Sequence, residues 1–190
     1  MIARASRLMV LLLSVFALAA VAGCGQVKRP DGGVGLLPEG ARAPDVAGRD
    51  PSGREVRLSD LRGRMAVVYF YPQDGTPGCT KEACAFRDAW KQLEEADVAV
   101  FGVSTNSEER HREFQKEHAL PFPLVSDESG AIGAAYGVSK KIWGYDRVTF
   151  LVGRDGRIAK VWPDVDPAVH ARDVLAEAAR APGAAADASR

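Results

Sequence analysis

Two apolar segments have the pattern of strands that are buried on both faces. Residues 65–71 and 98–103 are continuous apolar runs rich in β-branched and aromatic side chains. A stripe of apolar residues at intervals of three and four between them indicates a helix, at Ala83, Phe86, Trp90 and Leu93. A buried strand, a helix and another buried strand form a βαβ unit, so the pattern predicts two parallel strands.

The rest of the pattern predicts short elements of both kinds. Helices are expected at residues 107–118, at 129–136 and from Pro167 to about Arg180. Strands are expected near 123–125, at 148–152 and at 157–162, the last two joined in a hairpin. A further hairpin is expected around residues 51–53, ahead of a helix capped by Ser59. Together these elements predict an α/β fold with a central mixed sheet.

The first two dozen residues have the pattern of a secretory signal peptide. Arg4 and Arg7 precede an uncharged, mainly apolar stretch at residues 8–23. This stretch is shorter than the roughly 20 apolar residues of a membrane-spanning helix. It ends in Val21-Ala22-Gly23-Cys24, which resembles the lipobox of bacterial lipoproteins, where cleavage precedes a cysteine that is then acylated. The alternative is an ordinary signal peptide with an incidental cysteine.

These signals divide the chain into four segments. Residues 1–23 are a lipoprotein signal peptide, and residues 24–40, rich in glycine and proline, are a flexible tether. Residues 41–181 are one folded domain, and residues 182–190 are a disordered tail. With Cys24 as a lipid anchor, we expect an extracytoplasmic protein held to a membrane of the bacterial cell envelope.

Charge and cysteine content exclude several classes of protein. The 190 residues carry 25 basic and 25 acidic side chains, which argues against a nucleic-acid-binding surface. Three cysteines are too few for a disulfide-stapled scaffold or a four-thiolate zinc site. His111, His118 and His170 lack ligand-type neighbours in the sequence and are expected to be solvated. We therefore expect no metal and no organic cofactor.

Two cysteines remain for chemistry, and they are five positions apart. Cys79 ends a loop rich in proline and glycine at the start of the predicted helix, where backbone N–H groups and the helix dipole stabilise a thiolate. The alternative is a buried core cysteine without reactivity. In a helix, Cys84 would have its Cα about 8.6 Å from that of Cys79, beyond the ~7 Å limit of an unstrained disulfide. A bond between them therefore requires the helix to unwind.

The residues around Cys79 resemble the peroxiredoxins. Pro72, Thr76 and Cys79 have the spacing of the peroxiredoxin active-site signature. The longer run from Thr76 to Asp88 is similar to the subgroup called bacterioferritin comigratory protein or peroxiredoxin Q. Residues 147–151 resemble a later strand of that family, whereas residues 139–146 are shorter than the corresponding family segment.

The resemblance implies a thioredoxin-like fold and the thiol-dependent reduction of hydrogen peroxide and organic hydroperoxides. It implies that Cys79 is the peroxidatic cysteine and that Cys84 is the resolving cysteine of the same subunit. Thr76 would bind the peroxide, Arg147 would stabilise the thiolate, and Pro72 would shield the sulfur from water. The expected partner is a thioredoxin-like dithiol reductant, and the protein is expected to be a monomer or a weak homodimer.

Two other functions fit part of the pattern. A membrane-tethered thiol–disulfide oxidoreductase would share the fold and the compartment, but it would need a C-x-x-C motif. A redox-sensing lipoprotein would keep the same fold and signal through its disulfide. The combination of Thr76, Cys79 and Arg147 favours the peroxidase.

Overall fold

A mixed sheet forms the centre of the protein in a computed structural model, which describes residues 27–181. The strands are β1 (Ala47–Arg49), β2 (Glu55–Arg57), β3 (Met65–Phe70), β4 (Val98–Ser104), β5 (Leu124–Ser126), β6 (Lys140–Lys141), β7 (Gly144–Tyr145), β8 (Val148–Val152) and β9 (Ile158–Trp162). The helices are α1 (Pro77–Asp88), α2 (Trp90–Glu95), α3 (Glu108–His118), α4 (Ala131–Tyr136) and α5 (His170–Ala178), with a 3-10 helix at Leu58–Leu61.

The strand order confirms the predicted mixed sheet. Seven strands pair in the order β2-β1-β5-β4-β3-β8-β9, and β6 and β7 form a separate hairpin. β3 is parallel to β4, and β4 to β5, while the other pairs in the large sheet are antiparallel. Every residue of β3 and β4 is buried, because helices cover both faces of the sheet.

Three predicted helix boundaries were wrong. The single helix expected to run through Leu93 is two helices, because the backbone at Ala89 leaves helical geometry (φ −89°, ψ 3°). The last helix begins at His170 rather than Pro167, after a turn in which the side chain of Asp166 accepts a hydrogen bond from the N–H of Ala168. Ser59 lies inside the 3-10 helix, and its hydroxyl donates to Asp45 instead of capping.

Two of the three histidines are buried, contrary to the expectation that all are solvated. Nδ1 of His111 lies 2.8 Å from Oδ2 of Asp74, and Nε2 of His170 lies 2.9 Å from Oγ1 of Thr149. Burial lowers the pKa of His170 to about 4, so its ring is neutral near pH 7. These partners are 37 and 21 positions away along the chain, which local sequence patterns do not reveal.

The predicted tether differs from the structure over residues 27–40, which pack against the domain. Leu37 is buried, and its N–H donates to the carbonyl of Tyr136 at 2.9 Å. Lys28 and Val34 form an isolated antiparallel bridge. The predicted signal peptide, Cys24 and the predicted tail at 182–190 lie outside the described residues. Within the part described, no helix has both the length and the apolar character needed to cross a membrane.

Two stacked tyrosines give a test of the core. The Oη of Tyr69 is buried without a hydrogen-bond partner among residues 27–181, whereas that of Tyr71 donates to Asp74 at 2.7 Å. We expect Tyr69→Phe to raise the free energy of unfolding by about 1 kcal/mol, because it removes an unsatisfied buried hydroxyl. The matched variant Tyr71→Phe should lower it by about 1–2 kcal/mol. Urea denaturation measures both changes, and a similar loss of unfolding free energy in the two variants would show that the Tyr69 hydroxyl is not unsatisfied.

Candidate active site

Cys79 lies at the beginning of α1, directly beyond the carboxyl end of β3. The chain leaves β3, turns through residues 72–76 and enters α1 at Pro77, whose missing N–H is tolerated in a first helical turn. The side chain of Cys79 points into the core and is only 1% exposed. The sequence therefore placed this thiol correctly, at a helix N-terminus and facing inward.

Arg147 connects Cys79 to a buried carboxylate. Its Nη2 donates to the sulfur of Cys79 at 3.5 Å, and its Nη1 donates to Glu82. Burial opposes the positive charge, but Glu82 and Cys79 outweigh it and raise the pKa of Arg147. A Cβ on Gly78 would lie 3.2 Å from Nη2, so the glycine leaves room for the guanidinium. The thiol thus has a permanent cation beside it.

Glu82, the buried partner of Arg147, had no role assigned from the sequence. Its side chain is fully buried, and Oε1 has no hydrogen-bond partner within the described part of the chain. Burial raises the pKa of Glu82 to about 7, against the opposing effect of Arg147. The sequence did indicate that Glu82 belongs to the site, because it follows Cys79 by three positions and side chains at that spacing share a helix face.

Thr76 and Pro72 lie in the loop before the helix. The hydroxyl of Thr76 donates to the carbonyl of Gln73 at 3.1 Å, and no hydrogen bond to Cys79 is formed. The carbonyl of Pro72 lies so close to Gly144 of β7 that a Cβ there would be 2.0 Å from its oxygen. Gly144 has a φ of +105°, which also favours glycine. The β6–β7 hairpin therefore packs directly on the loop that leads to Cys79.

Comparison with known families identifies the family of the chain. The model of the AhpC/TSA family matches residues 40–161, which include Cys79, Glu82 and Arg147. The chain belongs to this family. The peroxiredoxin Bcp of Bacillus subtilis is 40% identical over 143 residues, covering 72% of this chain and 91% of the relative.

Solved structures agree with this peroxiredoxin assignment. The peroxidoxin BcpB of Mycobacterium tuberculosis is 31% identical with a TM-score of 0.70, covering 76% of this chain and 97% of the other. Peroxiredoxin Q of Xanthomonas campestris is 32% identical with a TM-score of 0.66, covering 71% and 90%. The fold is thioredoxin-like, and the protein is a peroxiredoxin of the Bcp/PrxQ subgroup, a thiol peroxidase.

A buried polar network fixes the loop of this peroxiredoxin. Asp74 accepts a hydrogen bond from Tyr71 at 2.7 Å and contacts His111 of α3 at 2.8 Å. The N–H of Asp74 donates to Oδ1 of Asn106 at 2.9 Å. Nε2 of His111 lies 3.2 Å from the carbonyl oxygen of Val125, so the ring links the loop to β5. The network was not predicted, because Asp74 was not assigned a role and His111 was expected to be solvated.

Cys84 lies on α1 with Cys79, and both thiols are free. Cys84 is half-buried and outside the core that holds Cys79. The structure thus places the two cysteines on one intact helix, as the sequence predicted, without joining them. Cys24, the predicted anchor, lies outside the described residues.

Glu82 predicts a pH dependence of stability. Its raised pKa means that the folded protein retains a proton that the unfolded chain releases above 4.5. The stability contributed by this proton is complete below pH 4.5 and is lost as pH rises through about 7. Relative to Glu82→Gln, the free energy of unfolding should therefore fall by about 3 kcal/mol between pH 4.5 and about pH 7, since each pKa unit is worth about 1.4 kcal/mol.

Urea denaturation across the pH range measures this effect. Both proteins carry Cys79→Ser, which removes the thiol beside Glu82 and Arg147 from the comparison. Parallel pH profiles for the glutamate and glutamine proteins would show that Glu82 does not retain the proton.

Proposed function

We propose that Cys79 is the peroxidatic cysteine of this peroxiredoxin. Its thiolate attacks one oxygen of the peroxide, an S–O bond forms as the O–O bond breaks, and the leaving oxygen departs as water or an alcohol after taking a proton. The observation that carries the proposal is the hydrogen bond from Nη2 of Arg147 to the buried sulfur. The same guanidinium stabilises the thiolate before attack and the charge that develops on the leaving oxygen.

Thr76 and Pro72 complete the proposed peroxide site. The proton of the Thr76 hydroxyl is donated to Gln73, which leaves the lone pairs of its oxygen free to accept a hydrogen bond from the peroxide. Pro72 is half-buried in the loop before Cys79 and contributes an apolar wall that limits water at the sulfur.

Cys84 is the proposed resolving cysteine. Condensation of its thiol with the sulfenic acid releases water and forms a disulfide, which requires the first turns of α1 to open. The start of α1 has no side-chain cap, and Gly78 lies in its first turn, so the helical backbone there resists opening little. Opening also breaks the hydrogen bonds from Arg147 to Cys79 and Glu82. A thioredoxin-like dithiol then reduces the disulfide by exchange.

The remaining alternatives are a thiol–disulfide oxidoreductase and a redox sensor. An oxidoreductase uses two cysteines separated by two residues, whereas four residues separate Cys79 from Cys84. A sensor would form the same disulfide with a slow or absent catalytic cycle. Steady-state turnover of peroxide with a dithiol reductant therefore separates the peroxidase from the oxidoreductase and from the sensor. We also propose that the enzyme acts as a monomer or weak homodimer.

The proposed location is outside the cytoplasm, on a membrane of the bacterial cell envelope to which the chain is held by its lipid anchor. The support is the lipobox-like end of the signal sequence at Cys24, where acyl chains would hold the domain to the bilayer.

The two cysteines are distinguished by single-residue variants. We expect Cys79→Ser to abolish hydrogen peroxide turnover, because no other side chain at the site can supply the nucleophile. Cys84→Ser should consume one equivalent of peroxide per chain and accumulate a sulfenic acid that dimedone traps. The matched control Ala85→Ser, on the same helix, should retain turnover. Stopped-flow kinetics and mass spectrometry measure these outcomes, and retained turnover in Cys79→Ser would refute the mechanism.

The anchor is tested separately in bacteria. We expect the full chain to incorporate a labelled fatty acid and Cys24→Ala to lose the label, because acylation occurs at that sulfur. Mass spectrometry of the oxidised protein is a second check, since a disulfide between Cys24 and Cys79 would show that Cys24 is not the anchor.

A further inference from the structure

Three large apolar side chains are exposed among residues 27–181. The exposed fractions are 56% for Val34, 93% for Ile142 and 78% for Trp143. Ile142 and Trp143 form the tip of the β6–β7 hairpin. Adjacent, nearly fully exposed isoleucine and tryptophan side chains are costly in water, so this tip is a candidate contact surface.

All three side chains lie near the point where the chain enters the domain. Val27, Gly35 and Leu36 line the same surface depression as Ser139 and Lys141 of the hairpin segment. Val34 directly precedes Gly35, and Ile142 directly follows Lys141. Val27 is three residues after the proposed lipid anchor, a distance of at most about 10 Å. The hairpin therefore lies on the side of the molecule where the described part of the chain begins.

The domain holds the hairpin in place. The hydroxyl of Tyr145 donates to the buried carboxylate of Asp127 at 2.5 Å, and Nζ of Lys140 donates to the carbonyl of Glu128 at 2.7 Å. Gly144 packs on the carbonyl of Pro72. The tip is thus presented outward by a fixed base, and little conformational entropy is lost when it binds.

The charges beside the tip favour an anionic surface. Lys28, Lys140 and Lys141 are exposed on this side, although Lys141 pairs with Asp146 at 2.5 Å. Asp164 also lines the depression. The combination of tryptophan, isoleucine and lysine is typical of segments at the headgroup level of a bilayer, where the apolar side chains enter the interface and the lysines contact anionic lipids.

We propose that the β6–β7 tip docks onto the anionic lipid surface of the membrane to which Cys24 tethers the chain. The inference rests on the proposed anchor. A second protein copy is a poorer occupant, because two side chains bury far less than the about 800 Å² per partner of a stable interface. The anchor removes that requirement, since it keeps the tip at high effective concentration beside the membrane and a weak contact then suffices. Docking brings the Pro72 side of the active site to the lipid surface.

Fluorescence in vesicles tests the proposal. The full-chain acylated protein is reconstituted in vesicles of equimolar phosphatidylcholine and phosphatidylglycerol with brominated acyl chains, which quench tryptophans at the interface. We expect quenching, and we expect Trp143→Phe to remove most of it, because Trp90 and Trp162 are partly buried within the domain. Replacing Lys140 and Lys141 by glutamate should lower the ratio of docked to undocked protein by at least about fivefold per residue. The matched control Lys91→Glu, exposed on α2, should change nothing.

The controls separate the failure of docking from the failure of the anchor. Flotation with the vesicles reports the anchor alone, and loss of flotation would overturn both proposals. Flotation with an unquenched Trp143 would overturn the docking and leave the anchor intact. A dimer that Ile142→Ser/Trp143→Ser dissociates in sedimentation experiments would assign the tip to a second copy instead. Peroxide turnover in detergent, measured for each variant, keeps these outcomes independent of the catalytic mechanism.

Discussion

The active site depends on one half-buried guanidinium that contacts two acidic groups at once. Arg147 donates to the sulfur of Cys79 and to the carboxylate of Glu82, so one positive charge lies beside both the thiol and a buried acid. The sheet makes this contact possible. β3 and β8 are antiparallel neighbours, and Phe70 pairs with Val148. The end of one strand and the start of the other therefore meet at the same edge, which brings together residues 68 positions apart.

The sequence predicted the features that arise from local patterns. The buried strands, the hairpins and the inward orientation of Cys79 follow from periodicity and from turn residues, and the structure confirms them. Most of the features that the sequence did not predict depend on contacts between residues that are far apart along the chain. His111 was expected to be solvated because its partner Asp74 is far away in sequence, and residues 27–40 were expected to be flexible because their contacts with α4 leave no periodic signal. Glu82 is the exception, since its spacing from Cys79 was visible.

The site combines a fixed half and a half that can open. The loop before Cys79 is held by the contacts of Asp74 with Tyr71, His111 and Asn106, which join it to β5 and α3. The start of α1 has no side-chain cap, and Arg147 supplies the side-chain hydrogen bonds of its first turns, to Cys79 and Glu82. On the proposed mechanism, α1 can therefore open for disulfide formation while the loop around Pro72 keeps its position. Division between a rigid scaffold and a low-stability segment is common where catalysis needs local unfolding.

The uncapped start of α1 also affects how the enzyme tolerates excess substrate. On the proposed mechanism, a sulfenic acid at Cys79 has two fates: it condenses with Cys84, or a second peroxide oxidises it to a sulfinic acid, which is not readily reversed. The rate of condensation is limited by helix opening, whereas the rate of oxidation to the sulfinic acid rises with peroxide concentration. A helix that opens easily moves this partition towards the recyclable disulfide. If Cys84 resolves the sulfenic acid as proposed, the missing cap lowers the stability of one helical turn and thereby raises the peroxide concentration that the enzyme tolerates before it is inactivated.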